Sequence, residues 1–425
     1  MEPILQIALD FVDMHRALRI AEESVEGGAD WIEAGTPLIK SEGMNSVREI
    51  KKNFNKITVA DLKTMDCGRC EVEMAAKSGA DVVVLLAVSD NSTIKEAVDA
   101  GKNYGCKIMV DLMNVENMQK RAKELEEIGV DYICVHVGVD QQMRGVDAIT
   151  ELKKISGVVK IPLAIAGGIN SETAPLAVKA GASIVIVGGA LTKAENARDA
   201  AKLIKNSIKT GIPVKTELYK KFTDPKDVFK KVSCANISDA MHRTGEMQNI
   251  KPLFPGIKMI GKAITVRTYP GDWAKTVEAI DAAGKGDVIV VDAGGTGPAV
   301  WGELATQSCM QKGISGIVID GATRDTEEIK ELKFPIFSKL ITPTAGEPRG
   351  FGEINVLIKC GGVKVRDGDW ISGDDDGVVV IPKEKAVEVA NRALDVFEKE
   401  NRIREEIKRG STLSKVVKLK KWEKV

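Results

Sequence analysis

The chain predicts an α/β protein: an N-terminal (β/α)₈ barrel followed by a smaller domain of mixed α/β type, swivelling β/β/α-like. Three observations carry this. Short apolar runs recur eight times in the first 210 residues, helically spaced stretches separate them, and the beat then stops at a polar stretch holding Gly211, Pro213 and Pro225. A length of 425 residues exceeds one ordinary domain. The expected organisation is a barrel over 1–210, a linker over 211–225 and a second domain over 226–425.

The eight runs of buried-strand character are Ile4–Leu9, Trp31–Ala34, Ile57–Leu62, Val82–Ala87, Lys107–Leu112, Tyr132–Val137, Leu163–Ala166 and Ile184–Val187. Between them, stretches such as 17–25 and 115–128 carry apolar residues at three- and four-residue spacing, the helical period. Several end in Gly-Ala or Gly-Val before the next strand (Gly28-Ala29, Gly79-Ala80, Gly129-Val130, Gly181-Ala182). Glycine just past a helix end takes the left-handed conformation that stops it. Eight even units of this size fit a small barrel. A doubly wound open sheet is the competing reading, disfavoured because no Gly-rich dinucleotide turn follows the first strand.

After the linker the pattern changes. Helical signal over 228–244 precedes strands at 260–267 and 288–291, a helix at 302–312 and a strand at 317–319. Short β runs follow at 334–338, 354–359, 363–365 and 377–381, and a long helix spans about 383–408.

Lys+Arg and Asp+Glu both total 61, so no net field favours nucleic acid or an anionic membrane. No apolar run approaches the ~20 residues of a membrane span. Met1 leads straight into a strand-like run, so neither a leader nor a membrane is expected, and the expected location is cytoplasmic. The basic tail Lys415–Lys424 reads as a solvated or docking terminus. The seven cysteines lack secreted-type spacing, and Cys67 and Cys70, near a helix start, read as reduced thiols rather than a metal or disulfide pair.

Barrel enzymes place catalytic groups at the carboxyl ends of strands. Asp10, Glu33, Asp61 with Lys63, Asp111 and His136 stand at such ends, and Gly167-Gly168 and Gly188-Gly189 follow the last two strands. Glycine pairs there let backbone N–H groups close on a phosphate. Side chains two apart on a strand share a face, so Asp61 would hold the Lys63 ammonium charged and aimed at a developing oxyanion. Asp66 lies past the strand and could reach a neighbouring subunit.

The run Asp61-Leu62-Lys63-Thr64-Met65-Asp66 resembles the Asp-x-Lys-x-x-Asp signature of the orotidine 5′-monophosphate decarboxylase suprafamily. More narrowly, LQIALD (5–10), WIEAGTPLIKSEG (31–43), VADLKTMD (59–66), HVGVDQQ (136–142), IAGGI (165–169) and IVGGALT (186–192) resemble the 3-hexulose-6-phosphate synthase family over nearly all of 1–210. The resemblance implies that Glu33 and Asp61 bind Mg²⁺ or Mn²⁺. It implies that Lys63 and the metal steady the cis-enediolate of ribulose 5-phosphate, that His136 moves protons, and that Asp66 acts across a dimer interface. Formaldehyde and a sugar phosphate are then the substrates. The sister group acting on 3-keto-L-gulonate 6-phosphate carries an arginine three residues after the histidine, where this chain has Val139, and a glutamate where it has Asp111; both departures favour the aldolase.

In the second half, Gly302-Glu303-Leu304 offers backbone donors that with Arg324 could bind a carboxylate. Asp325 could hold a divalent cation, with Glu328 assisting through water. CANISDAM (234–241), DGATRDTEEI (320–329), GGVKVRDGDW (361–370) and DDDGVVVIP (374–382) resemble the family uniting regulator of ribonuclease activity A with class II pyruvate aldolases. That family holds both metal-assisted aldolases and ribonuclease-binding proteins, and it implies trimeric or hexameric rings beside barrel dimers.

Overall fold

A computed structural model describes residues 2–417. The eight strands β1 (Ile4–Leu9), β2 (Trp31–Ala34), β3 (Ile57–Thr64), β4 (Val82–Leu86), β5 (Lys107–Asp111), β6 (Tyr132–His136), β7 (Leu163–Ala166) and β8 (Ala182–Val187) form a closed parallel barrel in sequence order. Closure is made by β1 on β8, with Ile4 opposite Ile184.

Strand alternation sorts the side chains. Leu5, Ile7 and Leu9 face outward into the helix layer, while Ala8, Val59, Met109, Cys134, Ala166 and Ile186 fill the barrel axis. Both faces are covered, which is why these strands read as continuous apolar runs. The inward row steps by two, so Ala8 leads to Asp10, Val59 to Asp61, Met109 to Asp111 and Cys134 to His136. The polar residues at the C-terminal mouth are the last members of the apolar inner rows.

The opposite end is tied by a repeated device. Gly28, Gly79, Gly129 and Gly181 have φ between 93° and 110°. The aspartates that follow at 30, 81 and 131 accept backbone N–H bonds from Leu5, Thr58 and Ile108 of the preceding strand. These carboxylates are structural pins.

Compact packing divides the chain into two units: the N-terminus to Lys221 together with the stretch from Glu398 onward, and Phe222–Phe397. The expected boundaries were 210 and 225, with everything later in the second domain. The helix Ala386–Lys408 instead contributes its residues from Glu398 to the barrel unit, where Arg402 is 1% exposed. The basic tail past Val417 lies outside the described residues.

The second unit is built on a mixed sheet ordered β19-β18-β10-β11-β13-β14-β9. Its members are β9 (Lys251–Pro252), β10 (Met259–Arg267), β11 (Val288–Asp292), β12 (Ala299–Trp301), β13 (Gly316–Thr323), β14 (Ile336–Ile341), β15 (Glu353–Ile354), β16 (Ile358–Cys360), β17 (Val363–Val365), β18 (Trp370–Asp374) and β19 (Gly377–Ile381). β12 pairs with β13, β15 with β10, and β16 with β17 as a separate ribbon. The helical signal over 228–244 resolves into two helices, Pro225–Lys231 and Cys234–Ala240. Ser233 breaks it by forming a capping box with Asn236, which satisfies N–H groups a continuous helix would not expose. The run 354–359 likewise splits at Asn355, whose φ is +61°. Strand β18 and the helices Ala274–Ala282 and Thr326–Leu332 were not anticipated.

Candidate active site

The C-terminal mouth of the barrel holds a cavity of about 340 Å³. Asp10, Glu33, Asp61, Lys63, Asp111 and His136 all line it, as do Gly167, Gly168, Gly188 and Gly189.

Lys63 is the centre. Its Nζ lies 3.0 Å from a carboxylate oxygen of Asp61 and 3.0 Å from Oδ2 of Asp111. Burial would strip its charge, but these two carboxylates outweigh burial and raise its pKa above the ordinary lysine value, keeping an ammonium. Simple strand alternation is not what aims it. The β3–β4 register slips between Asp61 and Thr64, and Lys63 has φ +49°, so a bulge turns its side chain inward.

Asp111 is 1% exposed and shares its Oδ2 between Lys63 and Nδ1 of His136, the latter at 2.7 Å. Burial pushes its carboxyl up, but His136, Lys63 and the backbone N–H of Met113 together bring it down to about 2. With Nδ1 turned to that carboxylate, the other imidazole nitrogen is left to exchange protons.

Glu33 is buried and accepts from Gln6 Nε2 at 2.5 Å. Burial first, then Asp61 and Asp10, lift its pKa well above the ordinary carboxylate range. Asp10 is exposed to the cavity, yet the surrounding wall and Asp61 raise its pKa too. Thr36 donates to Asp61 Oδ2 at 2.8 Å.

Three crowded carboxylates are the electrostatic condition that a divalent cation relieves. Among the described residues no three His, Cys, Asp or Glu side chains converge as a full cage. Mg²⁺ needs no such cage: one or two carboxylates suffice, with water and substrate oxygens completing its shell. Glu33 and Asp61 fit that role.

Gly35 is required by shape. A Cβ there would stand 2.3 Å from Asp10 Oδ1 and 2.9 Å from the Leu9 carbonyl oxygen. Gly35→Ala should therefore displace Asp10 and lower turnover by about 10²-fold, the scale of an ångström's misplacement. Circular dichroism should be unchanged; turnover within threefold of the parent would overturn this.

Asp66 is not brought into the cavity. It is exposed, accepts from the backbone N–H of Cys67, and lines a separate shallow groove with Arg69, Cys70 and Glu73. Cys67 and Cys70 are exposed free thiols. Gln6, Thr36, Gln142 and Tyr219 belong to the site or its support but were not singled out from sequence. Gln142 lies in a quoted segment yet is an ordinary amide, and Tyr219 lies past the barrel's eighth unit.

In the second unit Asp325, at φ +56°, precedes the helix Thr326–Leu332. Its Oδ2 accepts the Glu303 backbone N–H at 3.0 Å and lies 3.5 Å from Arg324 Nε. A Cβ on Gly302 would come 2.4 Å from that same oxygen. The structure thus joins Gly302, Glu303, Arg324 and Asp325. Leu304 and Glu328 are exposed, each in the first turn of its own helix.

Residues 3–204 match the model of the orotidine 5′-phosphate decarboxylase / HUMPS family, and residues 234–380 match the RraA-like family, Aldolase/RraA. The 3-hexulose-6-phosphate synthase of Bacillus subtilis (strain 168) is 43% identical over 209 residues, 49% of this chain and 99% of that protein. A 3-hexulose-6-phosphate synthase of Staphylococcus epidermidis is 39% identical over 206 residues, 48% of this chain and 98% of the relative. The crystal structure of 3-hexulose-6-phosphate synthase from Salmonella typhimurium, 35% identical, covers 49% of this chain and 99% of its own with a TM-score of 0.48.

Proposed function

We propose, for a chain that belongs through its barrel to the orotidine 5′-phosphate decarboxylase / HUMPS family, that it condenses formaldehyde with D-ribulose 5-phosphate to 3-hexulose 6-phosphate and runs the reverse cleavage. The observation that carries this is the Lys63 ammonium held between Asp61 and Asp111, with His136 on the far side of Asp111.

In the forward direction His136 takes a proton from C1 of the ketose phosphate. The electron pair moves into a C1–C2 double bond, and negative charge gathers on the C2 oxygen. Lys63 donates a hydrogen bond to that oxygen as the charge develops. C1 then bonds to the formaldehyde carbon, the carbonyl oxygen of formaldehyde takes the proton back from His136, and C2 returns to a ketone. A Mg²⁺ or Mn²⁺ on Glu33 and Asp61 would supply Lewis-acid polarisation of the substrate's oxygens. The glycine pairs at 167–168 and 188–189 line the end of the cavity that suits the phosphate. Val139 lines the cavity three residues after His136, so that position brings no cation against a carboxylate leaving group, which favours the aldolase over the decarboxylase.

The test is formaldehyde loss with ribulose 5-phosphate and Mg²⁺. Chelation should abolish it and added Mg²⁺ restore it. A folded, metal-loaded protein that consumes no formaldehyde overturns the assignment, and CO₂ release from 3-keto-L-gulonate 6-phosphate is then the outcome to look for.

For the second domain the reading is a cation-assisted site for a small pyruvate-like carboxylate, with Arg324 binding the carboxylate and Asp325 the cation. Asp325→Ala should abolish cation-dependent cleavage of a 4-hydroxy-2-oxo acid. Cleavage retained in this variant would overturn the role of Asp325 as cation ligand, and a domain that cleaves nothing but whose ribonuclease binding changes in the variant would favour a binding module. Barrel pairing, with Asp66 reaching the partner's site, and rings through the second domain complete the proposal; a monomeric mass in light scattering would overturn the pairing. Among the described residues no helix is long and apolar enough to cross a membrane.

A further inference from the structure

The segment after the last barrel helix, residues 211–221, has no helix or strand, yet it is not a loose tether. The Val214 N–H donates to the Ser171 carbonyl at 3.1 Å, and Ser171 Oγ donates to the Val214 carbonyl at 2.8 Å. The Thr216 N–H donates to Glu172 at 2.7 Å. Asn170 Nδ2 reaches the carbonyls of Leu218 and Tyr219, and the Tyr219 N–H donates to Glu398 at 2.7 Å. These bonds strap the segment across residues 170–172, just past the Gly167-Gly168 pair.

The strap delivers one side chain to the cavity. Tyr219 is 8% exposed, packs with the barrel core and lines the site. Its ring lies where a side chain on residue 189 would be: a Cβ on Gly189 would stand 2.1 Å from the ring. Its hydroxyl is 3.4 Å from Oε1 of Gln142, whose Nε2 donates to the Val137 carbonyl and would lie 3.1 Å from a Cβ on Gly167. One aromatic residue therefore packs on the Gly189 corner and reaches the Gly167 corner through Gln142. Two ammonium groups stack on it, Lys193 at 4.8 Å and Lys221 at 4.3 Å from the ring centroid. The backbone of Tyr219 is at φ +55°, a conformation that is strained for an aromatic residue and is held here by the bonds on either side.

We propose that Tyr219, with Lys193 and Lys221 on its ring, closes the phosphate end of the sugar-phosphate site, so that the site is completed by chain lying beyond the family barrel. The family match ends at residue 204, and Tyr219 lies past it. The ring keeps water off the glycine backbone, and cations held by its π face place positive charge beside an incoming dianion. This rests on the reading of the cavity as a sugar-phosphate site.

The test uses full-length protein and the variants Tyr219→Phe, Tyr219→Leu and Tyr219→Ala, with melting temperature measured for each. Calorimetric titration with inorganic phosphate reads the subsite alone; steady-state kinetics read the reaction. Phenylalanine should bind phosphate within about threefold of the parent, since the ring face is retained. Leucine and alanine should weaken phosphate binding and raise KM for ribulose 5-phosphate by about tenfold, with kcat and the KM for formaldehyde much less changed, as expected for lost ground-state binding. A folded leucine variant with unaltered phosphate affinity overturns the proposal. Phosphate binding that weakens in the leucine variant of a protein consuming no formaldehyde upholds the closure and sinks only the assigned reaction.

Discussion

Replacing Lys63 with alanine is expected to lower kcat by about 10³-fold, with a much smaller change in KM for the sugar phosphate. The ammonium lies 3.0 Å from each of Asp61 and Asp111, and in the proposed reaction the charge it answers exists only after the C1 proton has left. Removing a donor that acts on such a developing oxyanion costs ~10²–10³ in kcat elsewhere. The upper end applies because the variant also leaves two carboxylates, 6% and 1% exposed, without their shared cation, which disfavours a second anion beside them. Arginine should not rescue. Its planar fork and longer reach do not fit a bulge shaped for a point charge. The measurement is kcat and KM for ribulose 5-phosphate in parent, Lys63→Ala and Lys63→Arg. A loss confined to KM would mean that Lys63 only binds substrate.

Arg402→Met is expected to destabilise the barrel unit by about 3–5 kcal/mol, the cost of breaking a buried ion pair from one side. The Arg402 guanidinium is 1% exposed and engages both oxygens of Glu23, at 3.0 and 3.1 Å. It also donates to Glu406 at 3.0 Å and to the carbonyls of Ala194 and Glu195. Methionine of similar length fills the space and satisfies none of these acceptors. Arg16, Arg19 and Arg409 also face Glu23 or Glu406, which keeps the cost from exceeding that range.

The pH dependence has a definite sign. Burial pushes the Glu23 carboxyl up, but Arg402 outweighs burial and the net pKa lies below the ordinary glutamate value. A depressed carboxylate contributes stability that is present above its unfolded value, about 4.3, and is lost as pH falls through the folded one. Urea melts of parent and variant should differ most near neutrality and draw together below about pH 4. A difference that stays constant across that interval would show that Arg402 acts through packing alone.

The barrel was legible because its code is local. Each strand is a short apolar run, several helices stop at a glycine, and several inner rows step by two residues from an apolar member to a polar one, as from Val59 to Asp61 or Cys134 to His136. The second unit was less legible. Its strands are short and its turns irregular, so Ser233 and Asn355 broke runs whose composition looked continuous, and β18 between two aspartate-rich turns passed unnoticed.

By itself the sequence determined the alternation of strands and helices, the ring of ionisable groups at the strand ends and the glycine pairs, all of which depend on neighbours a few residues away. The tertiary structure alone decided how those groups meet. The bulge that turns Lys63 inward depends on pairing with β4, and the shared oxygen of Asp111 depends on β3, β5 and β6 closing around one mouth. Tyr219 reaches Gln142 across 77 residues, and Arg402 reaches Glu23 across 379. Nothing in the local spacing of either residue encodes its partner; only the closed barrel, which brings distant backbone to one mouth and one flank, makes those contacts.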